Sequence, residues 1–123
     1  MKILIVEDEI ALAKVLVEKF ERERFEVKHA KTGEEGLDLA RSFKPDIIAL
    51  DILLPGKSGL DVLKELKSDP ILKIIPVVMT SNLDSDEDIK QCIALGALDY
   101  FVKSQHLIKE IVEKVKEYAV KGR

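Results

Sequence analysis

One cysteine, no tryptophan, four prolines and six glycines leave this sequence few of the usual structural devices. With Cys92 alone no internal disulfide can form, so the chain is held by its core and not by cross-links. No run approaches the ~18 to 20 apolar residues that a membrane span requires. An excess of either charge is also missing: 20 basic and 23 acidic residues leave a net charge of -3. So weak a field disfavours direct binding of nucleic acid or of an acidic membrane. Met1-Lys2 runs straight into a strand-like segment, without the charged and apolar regions of a signal peptide, and a cytoplasmic location is expected.

What is present is the composition of a folded chain. Hydrophobic residues make up 46% and charged residues 35% of 123 positions, and both signs are spread along the sequence. This length matches one domain with one core, so a single domain over 1–123 is expected. Five short apolar runs alternate with five helix-like segments. Residues 3–6, 47–50 and 77–79 are continuously apolar, as in parallel strands covered on both faces. Residues 25–29 alternate and residues 98–102 are mixed, which places these two strands at the edges.

Helices are marked by spacing. Ala13, Leu16, Val17 and Phe20 form one core-facing stripe, Ile89, Cys92 and Ile93 another, and Ile108, Ile111, Val112, Val115 and Ala119 a third. As part of a stripe, Cys92 reads as core packing and not as a reactive thiol. Thr32 with Glu35 and Ser85 with Asp88 have capping-box spacing, while Pro45, Pro55-Gly56 and Pro70 fall in connections. Right-handed crossovers between parallel strands then predict a doubly wound (βα)5 α/β fold, flavodoxin-like, with a five-stranded parallel sheet in the order 2-1-3-4-5. Strands 1 and 3 become neighbours at the switch point, where a ligand crevice opens beyond their C-terminal ends.

The residues at those ends carry the chemistry. Glu7 and Asp8 follow the first strand, Asp51 ends the third, Thr80 ends the fourth and Lys103 follows the fifth. Three carboxylates drawn together repel one another unless protonated or gathered around a cation. A hard divalent ion such as Mg²⁺, which keeps several waters and phosphate oxygens, suits such a crevice. Lys103 and Thr80 complement an anion bound beside it, one by charge and one by a hydroxyl donor. Asp51, between the acidic pair and Lys103, is the best-placed nucleophile for in-line attack on phosphorus.

The stretches Ile-Leu-Ile-Val-Glu7-Asp8-Glu, Asp51-Ile-Leu-Leu-Pro55-Gly-Lys-Ser-Gly59, Val-Val-Met-Thr80-Ser, Gly96-Ala-Leu-Asp-Tyr100 and Phe-Val-Lys103 together resemble the response-regulator receiver family of two-component systems. The resemblance covers essentially the whole chain. It implies that Asp51 accepts a phosphoryl group from a sensor histidine kinase or phosphotransfer protein. By the same likeness Asp8 contacts Mg²⁺ directly, Glu7 helps through water, and the Leu53 backbone carbonyl adds a ligand. Thr80 and Lys103 would grip the phosphoryl oxygens, and Tyr100 matches the family's switch aromatic, which turns inward as the Thr80 hydroxyl moves towards phosphate. The domain would then catalyse only its own phosphorylation and slow dephosphorylation. Output would pass through the face of helix 4, strand 5 and helix 5, to a downstream protein target or fused output domain, with a homodimer as one form. Only residues 120–123 are expected beyond the fifth helix.

Two departures from the family stand out. Ser104 replaces the proline that usually follows the lysine in a cis bond, so Lys103-Ser104 is expected to be trans, a non-proline cis bond costing ~2.5 to 4 kcal/mol. Leu53 is apolar and only Asn82 lies two residues beyond Thr80, leaving no evident general base for a hydrolytic water. Rival readings are weaker. A Mg²⁺-dependent aspartate-nucleophile phosphatase typically has a second Asp where this chain has Leu53. A flavin carrier would need Ser, Thr and Gly where this chain has Glu-Asp-Glu. A docking module independent of phosphorylation would not need the intact acids, Thr80 and Lys103.

Overall fold

The computed structural model describes residues 1–121. Five strands and five helices alternate: β1 (Lys2–Val6), α1 (Ile10–Arg22), β2 (Glu26–Ala30), α2 (Gly33–Phe43), β3 (Ile47–Asp51), α3 (Gly59–Ser68), β4 (Val77–Ser81), α4 (Asp86–Ala94), β5 (Asp99–Val102) and α5 (Ile108–Lys121). A short 3-10 turn, Leu72–Ile74, precedes β4. All strand pairs are parallel and the order is β2-β1-β3-β4-β5, as the apolar runs predict. Positions 122 and 123, part of the tail expected after the last helix, lie outside the described residues, and α5 itself takes up 120 and 121.

The continuous apolar runs serve two cores at once, because successive strand residues point to opposite faces. Leu4, Val6, Ile48, Leu50, Val77 and Met79 pack with Leu37, Leu63, Leu66 and Cys92 on one side of the sheet. Ile3, Ile5, Ile47, Ala49 and Val78 pack with Leu16, Phe20, Ile111 and Val115 on the other. Phe25, expected as the first residue of strand 2, instead lies just before it and is buried edge-to-face against Phe20, with ring centroids 5.4 Å apart. The N-cap half of each expected box forms: Thr32 Oγ1 accepts from the Glu35 N–H at 3.1 Å and Ser85 Oγ from the Asp88 N–H at 3.1 Å. Ser58 caps α3 in the same way, accepting from the Asp61 N–H at 3.2 Å.

The stripe expected on α4 holds at Ile89 and Cys92, which pack on the core, but not at Ile93. Ile93 is 46% exposed, and Cys92 is the only fully buried residue of the helix, with Asp88, Ile89 and Leu95 half-buried around it. Ile89 and Leu95 pack on the core to either side of Cys92, and position 93 sits 100° away from Cys92. The expected edge strand β5 is more buried than its mixed sequence suggests. Tyr100, Phe101 and Val102 are all buried, and Asp99 is satisfied by the Tyr118 hydroxyl at 2.5 Å and the Tyr100 N–H at 2.7 Å.

Candidate functional site

All the acids stand at the C-terminal end of the sheet. The β1 ladder stops at Val6, and the next residue, Glu7, still donates its N–H to the Ala30 carbonyl at 2.9 Å. Its side chain turns inward and is buried. Asp8 points outward and is exposed. Asp51 closes β3 opposite Thr80 of β4, and both are buried. Carboxylate oxygens of Glu7, Asp8 and Asp51 all lie within 4.8 Å of one another. The five strand-end residues singled out from the sequence thus meet, although Asp8 alone among the acids is solvent-facing.

Lys103 is the counter-ion. Its backbone N–H donates to the Ser81 carbonyl at the end of β4 at 2.8 Å. The ammonium reaches back across the sheet to Glu7 Oε1 at 2.5 Å and Asp51 Oδ2 at 2.9 Å. Burial pulls the pKa of the Lys103 ammonium down, but its hydrogen bonds to Glu7 and Asp51 outweigh this and leave the pKa raised. For Asp51 the balance goes the other way: burial, aided by the nearby Glu7 charge, overcomes Lys103 and pushes the carboxyl up to about 6. One ammonium does not neutralise three carboxylates, so the cluster is suited to a protonated carboxyl or to a cation.

Loop geometry holds Asp51 in place. The Leu53 N–H donates to Asp51 Oδ1 at 3.2 Å, while the Leu53 side chain is 56% exposed. The chain can turn back so tightly because of Gly59, whose N–H donates to the Ile52 carbonyl at 2.8 Å. A Cβ there would sit 2.0 Å from the Asp51 carbonyl oxygen and 2.6 Å from Ile52 Cα. Gly33, at the start of α2, similarly lets the Lys57 carbonyl approach to where its Cβ would be, at 2.6 Å. Lys57 is in turn ion-paired with Glu65 of α3. Neither glycine was singled out from the sequence as a site residue; for Gly59 its place at the end of the Asp51 stretch was the one signal, and Gly33 had none.

Two hollows flank the cluster. A shallow one of about 390 Å³ is lined by Glu7, Asp8, Asp51, Leu53, Asn82 and Lys103. A deeper, largely apolar one of about 250 Å³ brings Thr80 and Lys103 together with Leu12, Leu16, Ile108 and Ile111. Every peptide bond among the described residues is trans, Lys103-Ser104 included. Tyr100 is not a wet edge residue: its ring is buried and its hydroxyl donates to the Leu83 carbonyl in the β4–α4 loop at 2.6 Å.

Both the sequence and the fold match known proteins. Residues 3–116 match the response regulator receiver domain family, and the chain belongs to it. It is similar to the receiver domain of Francisella response regulator 1452, with 29% identity over 99% of this chain and 98% of that one, at a TM-score of 0.91. The phosphorylated cyanobacterial phytochrome response regulator RcpA is 33% identical over 99% and 95% of the two chains, at a TM-score of 0.86. The Mn²⁺-bound form of response regulator Rcp1 is 28% identical over 95% and 90%, at a TM-score of 0.80. The protein is therefore a receiver domain of two-component signalling, a phosphoacceptor switch, and nothing in these likenesses supports the phosphatase alternative.

Proposed function

We propose that Asp51 is the phosphoacceptor, in a reaction assisted by Mg²⁺. The observation that carries this reading is a buried Asp51 carboxylate among two further acids, with a single ammonium as counter-charge. Only oxygen donors converge there, and exposed Asp8 leaves one side open for water, the donor set and hydration that Mg²⁺ favours. Glu7, Asp8, Asp51 and the Leu53 carbonyl are the residues to hold it. When bound, the ion supplies positive charge to the phosphoryl oxygens. The Mn²⁺ held by the similar Rcp1 supports a divalent site of this kind.

In the transfer, an Asp51 carboxylate oxygen attacks phosphorus in line, and a bond forms between them. The bond from phosphorus to the donor breaks, and the leaving group keeps that electron pair and takes up a proton. Lys103 and the Thr80 hydroxyl then hold the new phosphoryl oxygens, while Lys103 gives up part of its contact with Glu7. The donor is a histidine kinase or a phosphotransfer protein. Thr80 and Tyr100 carry the change to α4, β5 and α5, the face offered to a downstream target, a fused output domain or a second copy. No described helix is long and apolar enough to cross a membrane, and a cytoplasmic location accords with the proposal. Beyond its own phosphorylation and slow dephosphorylation the domain catalyses nothing. Incubation with acetyl phosphate and Mg²⁺ is expected to add one phosphoryl group by intact mass, and steady release of phosphate from small esters is expected to be absent. Multiple turnovers would instead revive the phosphatase.

The lifetime of the acyl phosphate follows from the rim. Leu53 and Asn82 are both exposed beside Asp51, and neither can take a proton from an attacking water. Label on the phosphorylated domain is expected to persist for minutes without a phosphatase, and Leu53→Asn is expected to shorten that time several-fold by orienting water. Loss within seconds in the unaltered protein would contradict this account of the rim.

A further inference from the structure

We infer that His29, on the edge strand β2 and outside the acid cluster, is a positioning residue for the divalent-ion site. The inference rests on the metal reading above and deepens it. His29 pairs in register with Ile5 of β1, and its Nε2 lies 2.6 Å from the Glu7 carbonyl oxygen. A carbonyl only accepts, so Nε2 is the protonated nitrogen and donates. Glu7 stands one residue beyond the last registered pair of β1 with either neighbour, Val6 with Ala30 and Val6 with Leu50. The sheet ladder therefore no longer fixes its outgoing peptide.

That peptide is the one joining Glu7 to Asp8. Its orientation decides how the inward acid stands relative to the outward one, and so whether their oxygens meet within 4.8 Å. The Ala30 carbonyl holds the Glu7 N–H at 2.9 Å, and the His29 ring holds the carbonyl. Together they extend β2's grip one peptide further, by main chain on one side and side chain on the other. The Glu7 carboxylate is itself tied to Lys103 and to the Glu9 N–H at 3.0 Å, so the Glu7 side chain cannot follow a turned peptide without breaking these bonds. The imidazole is half-buried at a sheet edge, in a hollow lined by Ile10, Ala13, Lys14, Val17, Glu18 and Lys31, and among the described residues the Glu7 carbonyl is the hydrogen-bond partner of its Nε2.

Binding of Mn²⁺, followed by electron paramagnetic resonance of the free ion, tests this without any phosphotransfer. His29→Val suits a strand and removes the donor; it is expected to weaken Mn²⁺ binding roughly tenfold, the low end for partners that orient metal ligands. The metal-free thermal midpoint is expected to stay within a few degrees. His29→Gln, which can still donate, is expected to recover most of the affinity, and His29→Thr, whose hydroxyl is too short to reach, is expected to behave as Val does. Equal Mn²⁺ affinity in the unaltered protein and in the Val or Thr variant overturns the inference while leaving the metal site standing. A Gln variant as weak as Val also overturns it, because the donor would then not be the cause. Failure of the unaltered protein to bind Mn²⁺ overturns the metal site and this inference together.

Discussion

Asp51→Asn is expected to abolish phosphorylation from acetyl phosphate and, at the same time, to make the metal-free domain more stable near neutral pH. The second effect follows from the site's charge. A carboxyl lifted from 3.8 to about 6 in the folded state is costly to ionise there. At neutral pH the difference amounts to roughly 3 kcal/mol, at 1.36 kcal/mol per pKa unit, an order-of-magnitude figure. Folding takes up a proton on Asp51 between these two values. The folded state binds more protons than the unfolded one, so stability falls as pH rises from about 4 to about 6 and stays lower above it. Asn removes the ionisable group and with it this slope, while Lys103 keeps Glu7 as its partner. Denaturant melts at about pH 4.5 and about pH 7 check it: the unaltered metal-free domain should lose stability relative to the variant across that interval. Added Mg²⁺ should close the gap by stabilising only the protein that retains Asp51. A variant less stable than its parent at neutral pH, or one that still takes a phosphoryl group, would remove Asp51 from its role.

Gly59→Ala is expected to be the most damaging single methyl added to the site. The new Cβ would meet the Asp51 carbonyl oxygen, Asp51 C and Ile52 Cα at 2.0 to 2.8 Å, and all three are main-chain atoms that cannot rotate away. Either the turn opens or β3 shifts, and each moves Asp51 and the Leu53 N–H that bonds it. A cost of about 3 kcal/mol or more is expected, at the upper end for overpacking, with loss of phosphorylation. Gly56 provides the contrast. It has φ of 73° but nothing within 4 Å of its Cβ position, so Ala there carries backbone strain alone. Gly56→Ala should cost about 1 to 2 kcal/mol and leave phosphorylation intact. Denaturant midpoints and intact mass of the two variants separate a steric requirement of the acceptor loop from a general intolerance to change. Equal loss in both would refute it.

Much of this site was legible because its chemistry sits where strands end. Continuous apolar runs at 3–6 and 47–50 announce doubly covered parallel strands, and the polar residues that interrupt them, Glu7, Asp8 and Asp51, are forced to the sheet's end. Lys103 was legible for the same reason. Less visible was which acid is buried: neighbours in sequence, Glu7 and Asp8 face opposite ways, and only the fold decides between them. By spacing Ile89, Cys92 and Ile93 all fit one helix stripe, and only the sheet beneath α4 decides that Ile93 is left outside it. Asp99 and Tyr118 are 19 residues apart, and their bond exists because α5 folds back along β5. Lys67 looks like any surface lysine. Its ammonium instead donates to the Lys73 and Ile75 carbonyls at 3.1 and 2.8 Å, and burial holds its pKa down.

The thin anchoring of α4 by one wholly enclosed side chain, Cys92, sets a scale for signalling. Lifting an element so lightly fastened takes little free energy, whereas bending strands packed on both faces would take far more. In the proposed switch, a modest rearrangement near Thr80 would move this helix at less cost than the sheet, and so a covalent mark of atomic size would become a change that another molecule can feel.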